Sequence, residues 1–489
     1  MPNVVQKTYF GSDTISIPRN VKYVIVTPFY ENNSMSFSAA LSFNFVGSNN
    51  TLYGMGSNTL GTLGDNTIIP KSSPILCASN IIFTKIISGG NYNLALNIFN
   101  EPYGWGENNI GQLGLSTITT TSFPSLIANT LLCNIRSEHN NNIAINNNGN
   151  IYSWPYVNAI QPGTTTSSPT LVVSSVRFCK ILFGGTRSFV QDVDGNTYAF
   201  GVNSSGELGI NSVTNASSPT LISGGYKFGK IFCNGSSTLG LTNDGNLYAW
   251  GLNSSGQLGN GSITNTSSPV LILTKVKDIL SRSITFNNEP STFFAITNND
   301  SLYGWGLNTS GQLGDNTLTN KSSPTLIFSN IKVSKVFAGS NRTFVLDLNG
   351  NLYATGNNTD GALGVNDIAP RSTPTLVSAS LKFVNLTQGP STVMALGKNE
   401  VLYGWGTNTS GVLGTGDINP RSTPTMILSE FSAKSMPSVS SYVPQSGSQV
   451  IEVIPETTYR IVVGDTGCFF GNTPIADGVI EKIVVTYYQ

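Results

Sequence analysis

The single histidine is the first residue to consider for chemistry, because imidazole is the usual base or metal ligand near neutral pH. The chain of 489 residues has only His139. One histidine cannot form a histidine-based metal cluster, and a Ser–His–Asp triad would have to use it. By alignment with the repeats described below, His139 falls at the position of Gly185, inside a glycine turn. We therefore interpret it as a loop residue.

Four aspartates recur just after a Leu-Gly pair, at Asp65, Asp315, Asp367 and Asp417. Paired carboxylates can act as general acid and base, but Asp after Gly is also common turn chemistry. We interpret these four as turn residues. No βαβ pattern accompanies the glycines, so a nucleotide cradle is not indicated. We therefore expect no cofactor and no enzymatic activity.

The five cysteines are scattered and show no CxxC spacing, which indicates neither a zinc site nor a disulfide framework. Cys133 and Cys179 stand at matching positions in "LLCNI" and "RFCKI". We interpret them as small buried hydrophobic residues in strands. We therefore expect no metal site.

The charge balance also limits the classes of partner. The 25 basic and 25 acidic residues cancel, and charged residues are only 10% of the chain. A neutral surface gives no electrostatic reason to expect a nucleic acid as partner. No apolar run approaches the roughly 20 residues of a membrane helix, and the first residues do not resemble a signal peptide. We expect no membrane insertion.

The elements that position these residues belong to a repeat. "LYGWGLNTSGQLGDNTLTNKSSPTLI", Leu302 to Ile327, has close copies starting at Leu247 and Leu402. Aligned on the tyrosine, the units begin at Tyr53, Tyr103, Tyr152, Tyr198, Tyr248, Tyr303, Tyr353 and Tyr403. A second marker, "SSPTL" or a variant, follows each of them. A steady period of about 50 residues indicates repeated supersecondary units.

Each unit is typical of four short antiparallel strands. In Phe228 to Gly251, two apolar runs flank the turn "NDGN", and Asx-Gly is a strong hairpin signal. The strand "SSPTLI" begins near a proline, where the missing N–H does little harm. Such units predict blades of a β-propeller. The leucine of "GQLG" and the tryptophans are expected to pack between blades, although an aromatic stacking platform is conceivable. Sequons such as Asn253 and Asn308 arise from the turn itself.

"YGWGENNIGQLG", "YAWGLNSSGQLG" and "YGWGLNTSGQLG" resemble the repeats of the RCC1 (regulator of chromosome condensation) family. The resemblance covers residues 35–436 and implies an all-β, RCC1-like β-propeller. Members of that family usually have seven blades, whereas eight units occur here, so both counts remain open. We predict the propeller over residues 32–436.

The two ends of the ring are predicted to exchange a strand. Unit one, "SMSFSAALSFNFVGSNNTLYGMG", lacks a plain first strand, whereas "FSAKSM", Phe431 to Met436, matches the first strand of other units. We predict that Phe431–Met436 pairs with the strand around Phe37 to Leu41, which would remove an exposed sheet edge.

Residues 1–31 and 437–489 lie outside the ring, and both segments are rich in predicted strands. Each is too small for a core of its own, so we predict a small β-sandwich-like domain formed from both. "ISIPRNVKYVIV", "YRIVVGDTG" and "GVIEKIVVTYY" resemble the glycine-rich domain at the ends of phage tail fibres. That resemblance implies attachment to a larger assembly.

Unit three departs from the repeat. "PYVNAIQPG", Pro155 to Gly163, replaces its "GxNxxGQLG" segment, and the same unit contains His139. As the one irregular loop, it supplies our candidate partner-binding residues, which are Pro155, Tyr156, Asn158, Gln161 and His139.

Two functional classes fit the sequence best. The first is a non-enzymatic structural and recognition protein on a virion or particle surface, with other proteins of a larger assembly or a host-surface receptor as partners. The second is an intracellular RCC1-like scaffold or guanine-nucleotide exchange factor, with a cytoplasmic location. An oligomer through the terminal domain is compatible with either class. Fold alone does not decide between them.

Overall fold

The computed structural model describes residues 52–428 with short internal gaps, of which 156–165 and 280–291 are the longest. It also describes the backbone of separate strands between Val4 and Val46 and between Gln449 and Tyr488. Every regular element in these described ranges is a β-strand. In the same ranges no helix is long and apolar enough to cross a membrane.

Between Met35 and Leu428 the strands form successive four-stranded sheets, which we number blades 1 to 8. Blade 1 is β4 (Met35–Phe37), β5 (Ser42–Val46), β6 (Leu52–Gly56) and β7 (Lys71–Ala78); blade 2 is β8 (Phe83–Ser88), β9 (Tyr92–Asn97), β10 (Pro102–Gly106) and β11 (Thr121–Leu126). Blade 3 is β12 (Asn134–Glu138), β13 (Asn141–Ile145), β14 (Ile151–Trp154) and β15 (Thr170–Val172); blade 4 is β16 (Phe178–Phe183), β17 (Arg187–Asp192), β18 (Thr197–Gly201) and β19 (Ala216–Leu221). Blade 5 is β20 (Phe228–Asn234), β21 (Ser237–Thr242), β22 (Leu247–Gly251) and β23 (Thr266–Leu273); blade 6 is β24 (Val276–Ile279), β25 (Thr292–Thr297), β26 (Leu302–Gly306) and β27 (Lys321–Ile327). Blade 7 is β28 (Val333–Ala338), β29 (Arg342–Asp347), β30 (Leu352–Gly356) and β31 (Arg371–Leu376); blade 8 is β32 (Phe383–Gln388), β33 (Thr392–Gly397), β34 (Leu402–Gly406) and β35 (Arg421–Leu428).

The hairpins form where the sequence predicts them. In blade 5, Leu241 pairs with Leu247 across the turn "NDGN". Gly245 of that turn has φ 85°, a value that glycine adopts without a steric penalty. Its N–H donates to the carbonyl of Thr242 at 3.0 Å, which closes the turn.

Burial differs between the strands of a blade, because the second and third strands lie inside the ring wall. In blade 8 the whole of β33 and β34 is buried. The fourth strand is the outermost, and in blade 7 its residues are intermediate or exposed. Seven of the eight outer strands contain a proline, and in blade 3 Pro169 directly precedes the strand. Proline removes one donor from a free sheet edge and so discourages pairing with other chains.

Apolar clusters join every pair of neighbouring blades and close the ring. The clusters from blades 1–2 to blades 7–8 each combine residues of both sheets. One further cluster joins blade 8 to blade 1, and it places Met55 of blade 1 against Met394, Leu402 and Leu413 of blade 8. The all-β, RCC1-like propeller predicted from the repeats is therefore confirmed, and the irregular unit three contributes a four-stranded sheet like its neighbours.

Polar contacts cross the same junctions between inner strands. Lys230 Nζ lies 2.9 Å from Asp278 Oδ1 of the next blade, and Lys335 Nζ donates to the carbonyl of Val384 at 3.2 Å. Lys85 likewise donates to Asn134. The three lysines are each the third residue of the first strand of their blade. The repeat therefore places a similar polar contact at several junctions between blades.

The prediction that unit one lacks a first strand is wrong. β4 occupies that position in blade 1, where Phe37 pairs with Phe43 and Met35 with Phe45. A strand of three residues is too short to show an apolar pattern in the sequence, and this explains the error. Because β4 fills the place, closure needs no exchanged strand. The segment Phe431–Met436 lies outside the described residues.

Strands from the two chain ends pair with each other, as the sequence predicts. One sheet has the order β1 (Val4–Tyr9), β40 (Ile480–Tyr488), β3 (Tyr23–Tyr30), β36 (Gln449–Glu452). The other has the order β2 (Asp13–Ser16), β37 (Thr458–Gly464), β38 (Gly467–Phe470), β39 (Thr473–Asp477). The packing of these sheets into a sandwich, and the domain boundaries after residues 31 and 436, stay predictions.

Candidate functional site

The loop between the third and fourth strands of a blade is built around one buried asparagine. We call it the Asn loop; it covers 58–69, 108–119, 203–214, 253–264, 308–319, 358–369 and 408–419. In each, the first residue is an asparagine of 0 or 1% exposure. Because third strands run in the same direction in every blade, all Asn loops lie on one face of the ring, which we call the loop face.

Asn253 shows how this side chain organises its loop. Its Oδ1 accepts the N–H of Leu258 at 2.9 Å. Its Nδ2 donates to the carbonyls of Ser262 and Thr264 at 3.1 and 3.0 Å. The bond to the leucine five residues on measures 2.9 Å in all seven loops. The asparagine thus fixes both arms of the loop.

The leucine held in this way packs between blades, as predicted. It has 0% exposure in all seven loops, at Leu63, Leu113, Leu208, Leu258, Leu313, Leu363 and Leu413. In blade 5, Leu258 lies in one cluster with Phe293 and Trp305 of blade 6.

The tryptophans also join neighbouring blades, and no aromatic platform is exposed among them. All five have 0% exposure. Trp305 Nε1 donates to the carbonyl of Gln257, in the Asn loop of the preceding blade, at 3.0 Å. The same bond recurs for Trp105, Trp154, Trp250 and Trp405. In blade 7 the hydroxyl of Thr355 replaces the indole and donates to Gln312 O at 3.1 Å.

The ninth residue of each Asn loop turns the chain toward the next blade. It has a positive φ between 58° and 81° in every described loop, at Asn66, Ser116, Asn211, Gly261, Asn316, Asn366 and Gly416. Its N–H donates to a serine carbonyl at the start of the next outer strand; for Asn316 the acceptor is Ser372 O at 2.8 Å. Gly416 donates to Ser72 O at 3.0 Å, which joins blade 8 to blade 1. Asn and Gly are frequent at this position because they adopt a positive φ more readily than other residues.

The eleventh residue of each Asn loop is an exposed aliphatic side chain, and we call these seven residues the tip residues. They are Ile68, Ile118, Val213, Ile263, Leu318, Ile368 and Ile418, with exposures of 59 to 66%. In blade 5 the Nδ2 group of Asn253 bonds the carbonyls on either side of Ile263. The loop face therefore presents a ring of tip residues on pinned backbone.

The four recurring aspartates are turn residues, as the sequence indicates. Asp315 accepts the Thr317 N–H at 3.0 Å and lies 3.0 Å from Lys321 Nζ. Partial burial opposes ionisation, but the hydrogen bonds from Thr317 and Lys321 outweigh it and lower the pKa of Asp315. The hydrogen bond from Arg421 lowers the pKa of Asp417 to about 2. Asp65 and Asp367 have basic partners in the same way.

The predicted partner-binding residues fall largely outside the described residues. Pro155 is described; it is buried, follows Trp154 through a cis peptide bond, and its carbonyl accepts the N–H of Thr166 at 2.6 Å. Tyr156, Asn158, Gln161 and His139 lie outside the described residues of unit three, so their role as a site stays a prediction. In the sequence, Pro155–Gly163 takes the place of the Asn loop of unit three, and its residues after Pro155 lie outside the described ones.

The remaining candidate residues are structural where they are described. Cys179 is buried, as predicted, while Cys133 lies outside the described residues. Asn253 and Asn308 have no exposed side-chain surface, so these sequons are the loop centres rather than accessible acceptors. Within the described part of the chain, no group of three or more His, Cys, Asp or Glu residues could hold a metal ion.

The tip residues are the feature that sequence reasoning missed. Each stands six residues before the proline of its outer strand, as Ile263 does before Pro269. That fixed apolar position within a polar loop is a signal that the repeat alignment contains. The matching residue of unit three is Gly163, so the sequence offers seven tips rather than eight.

Comparison with known proteins agrees with this architecture. A family model described as an RCC1-like domain matches residues 177–450, more than half of the chain. The structure is similar to Prp20p of Saccharomyces cerevisiae, with 19% identity, a TM-score of 0.51, and coverage of 82% of this chain and 88% of that chain. It is also similar to yeast RCC1 (Prp20) solved with Kap60, at 17% identity, TM-score 0.53 and coverage of 94% and 90%. Human WBSCR16 gives 18% identity, TM-score 0.50 and coverage of 77% and 94%. No curated protein matches the chain by sequence.

Proposed function

Because this chain belongs to the family of RCC1-like domain proteins, we propose that it is a non-enzymatic scaffold that binds protein partners through its loop face. The ring of tip residues is the observation that carries the proposal. A soluble protein gains no stability from seven aliphatic side chains that stand about six-tenths in water. Exposed apolar residues at regular positions on one face are typical of protein-interaction sites.

The way the tips are held supports binding rather than chance exposure. In four loops the buried asparagine bonds the carbonyls on both sides of the tip, as in the 253–264 loop, and in the other three it bonds the carbonyl before the tip. A contact residue on a pinned loop loses little conformational freedom when a partner arrives, so more of its apolar burial appears as affinity.

The similar structures are themselves studied with protein partners. The structure of Prp20p is described together with its binding properties to Gsp1p and histones, and yeast RCC1 with bound Kap60. By analogy of fold, protein binding is the function class that we infer for this chain.

Matched variants test the proposal. The tip variant Ile118→Ser/Ile263→Ser/Ile418→Ser removes three aliphatic side chains from the loop face. The rim variant Leu126→Ser/Leu271→Ser/Met426→Ser removes three from the outer strands of the same blades, where they are also exposed. Proteins cross-linked to the tagged full-length chain in its own cells should include partners that the tip variant loses and the rim variant retains. Identical partner sets for both variants would contradict a role for the loop face.

A guanine-nucleotide exchange factor is the second candidate, because the similar Prp20p is studied with Gsp1p. Its test is the release of labelled GDP from a small GTPase, with and without this protein. A basic nucleosome-docking surface is less in keeping with the chain, because its 25 basic and 25 acidic residues cancel. Faster GDP release would move the assignment from scaffold to exchange factor.

The place where the protein acts remains a prediction. The fibre-like pattern of the terminal segments is the basis for expecting a virion or particle surface, and the family relationship favours the cytoplasmic alternative. Mass spectrometry of purified particles against soluble cell extract distinguishes the two. Enrichment in particles would support the first location, and presence in soluble extract alone would support the second.

A further inference from the structure

The tip residues recur with the period of the blades, and this regularity limits what can cover them. One tip is present per Asn loop, on the same face and at the same loop position. A small ligand could not touch all seven tips, because they belong to seven different blades. A body that engages most of them at once must be flat or must present contacts with the same angular spacing.

The charges beside the tips favour a neutral partner. Asp65, Asp315, Asp367 and Asp417 each lie within ion-pair distance of the Lys or Arg that begins the outer strand after their own loop. Surfaces that bind lipid usually set Lys or Arg beside their apolar residues to attract anionic headgroups. Two loop faces of this protein, in contrast, would meet without like-charge repulsion.

The apolar area is suited to a weak protein–protein contact. An aliphatic side chain offers about 100 Å² of apolar area when fully exposed, so seven tips at about six-tenths exposure offer about 400 Å². Divided among seven loops, this total equals the apolar area of the largest single patch on a typical monomer, ~300–600 Å². Two such rings, with the Ser and Thr residues that flank the tips, approach the low end of specific interfaces, near 1,200 Å² in total.

These observations point to a second copy of this chain, and we propose that two propellers associate loop face to loop face. The inference rests on the proposed function, since it names a partner for the same face. Only another copy is certain to carry the same ring of tips with the same spacing. Turned by half a blade, the tips of one copy fall between tips of the other, except beside the position of unit three, which has no tip. A two-fold axis relates the copies, as in most homodimers.

Sedimentation of the full-length chain tests the inference. Between about 1 and 100 µM, which brackets a micromolar dissociation constant, the average mass should rise toward twice that of the protomer. The tip variant should weaken this association at least about a hundredfold, because each of the two copies loses three of its seven tips. The rim variant should remain within about threefold of the parent. Equal melting temperatures of the three proteins would show that folding is unaffected.

The alternative outcomes can be told apart. A chain that stays monomeric over the whole range, or a rim variant that dissociates as readily as the tip variant, would overturn the inference. The protein could also stay monomeric and float with neutral phosphatidylcholine vesicles. If the tip variant does not float with them, a lipid surface is the occupant of the loop face instead. A monomer that cross-links a different protein through its tips would overturn self-association but leave the proposed function intact.

Discussion

Replacing Asn253 by Ala should destabilise the propeller by about 3–4 kcal/mol, although the residue lies in a surface loop. The change removes the acceptor of the Leu258 N–H and the donor to two loop carbonyls. Three hydrogen bonds at about 1 kcal/mol each give about 3 kcal/mol, and the buried N–H of Leu258, left without its acceptor, adds to the loss. Most surface substitutions change stability by less than about 0.5 kcal/mol.

Urea unfolding of the full-length protein, followed by tryptophan fluorescence, measures this loss. One of the five tryptophans, Trp305, reports on this loop directly, because it donates its indole N–H to Gln257 O. Ser254→Ala, one residue further along on an exposed side chain, is the matched control. If the two variants unfold at the same urea concentration, the asparagine does not organise the loop and the argument from its hydrogen bonds fails.

Four further outcomes are expected. Leu258→Ala should cost about 2–5 kcal/mol in urea unfolding, because the side chain is fully buried between blades, and a loss below about 1 kcal/mol would be inconsistent with that packing. Ser116→Gly should raise stability by up to about 1 kcal/mol, because glycine relieves the cost of the positive φ at this position, and a lower melting temperature would count against this reasoning. Trp305→Phe should cost at least about 1 kcal/mol through the lost bond to Gln257, whereas Trp305→Phe with unchanged stability would show that the indole N–H is dispensable. The pKa of Asp417 is lowered to about 2 from an unfolded value of about 3.9, so its contribution to stability is present above about pH 4 and is lost as the pH falls through about 2. Asp417→Asn should therefore flatten the acid-unfolding profile between these pH values, and a profile identical to that of the parent would contradict the role of Arg421.

The parts of the fold that local patterns encode could be predicted from the sequence. Turns such as "NDGN" specify their hairpins within a few residues, and Leu258 and Trp305 recur in every close copy of the motif. Burial of such regularly placed apolar residues follows directly from the need of each sheet to cover its faces.

Other features depend on contacts in the folded protein that local sequence patterns do not predict. β4 has only three residues, and only its pairing with β5 makes it a strand. The carbonyls that Asn253 contacts lie nine and eleven residues further on, and turn chemistry alone does not predict them. The tip Ile263 contradicts the expectation of a polar loop, and this conflict between local rule and fold is what indicates function.

Closure of the ring by ordinary blade contacts has a consequence for how the chain could be connected. Blade 8 meets blade 1 through Met55, Leu413 and the bond from Gly416 to Ser72, the same kinds of contact that join covalently linked blades. The ring therefore has no special seam, and its stability does not depend on which junction contains the break in the chain. A circular permutant that links the ends and opens a connector between two other blades should retain the same propeller, since the entropy of closing one loop is exchanged for that of another of similar length.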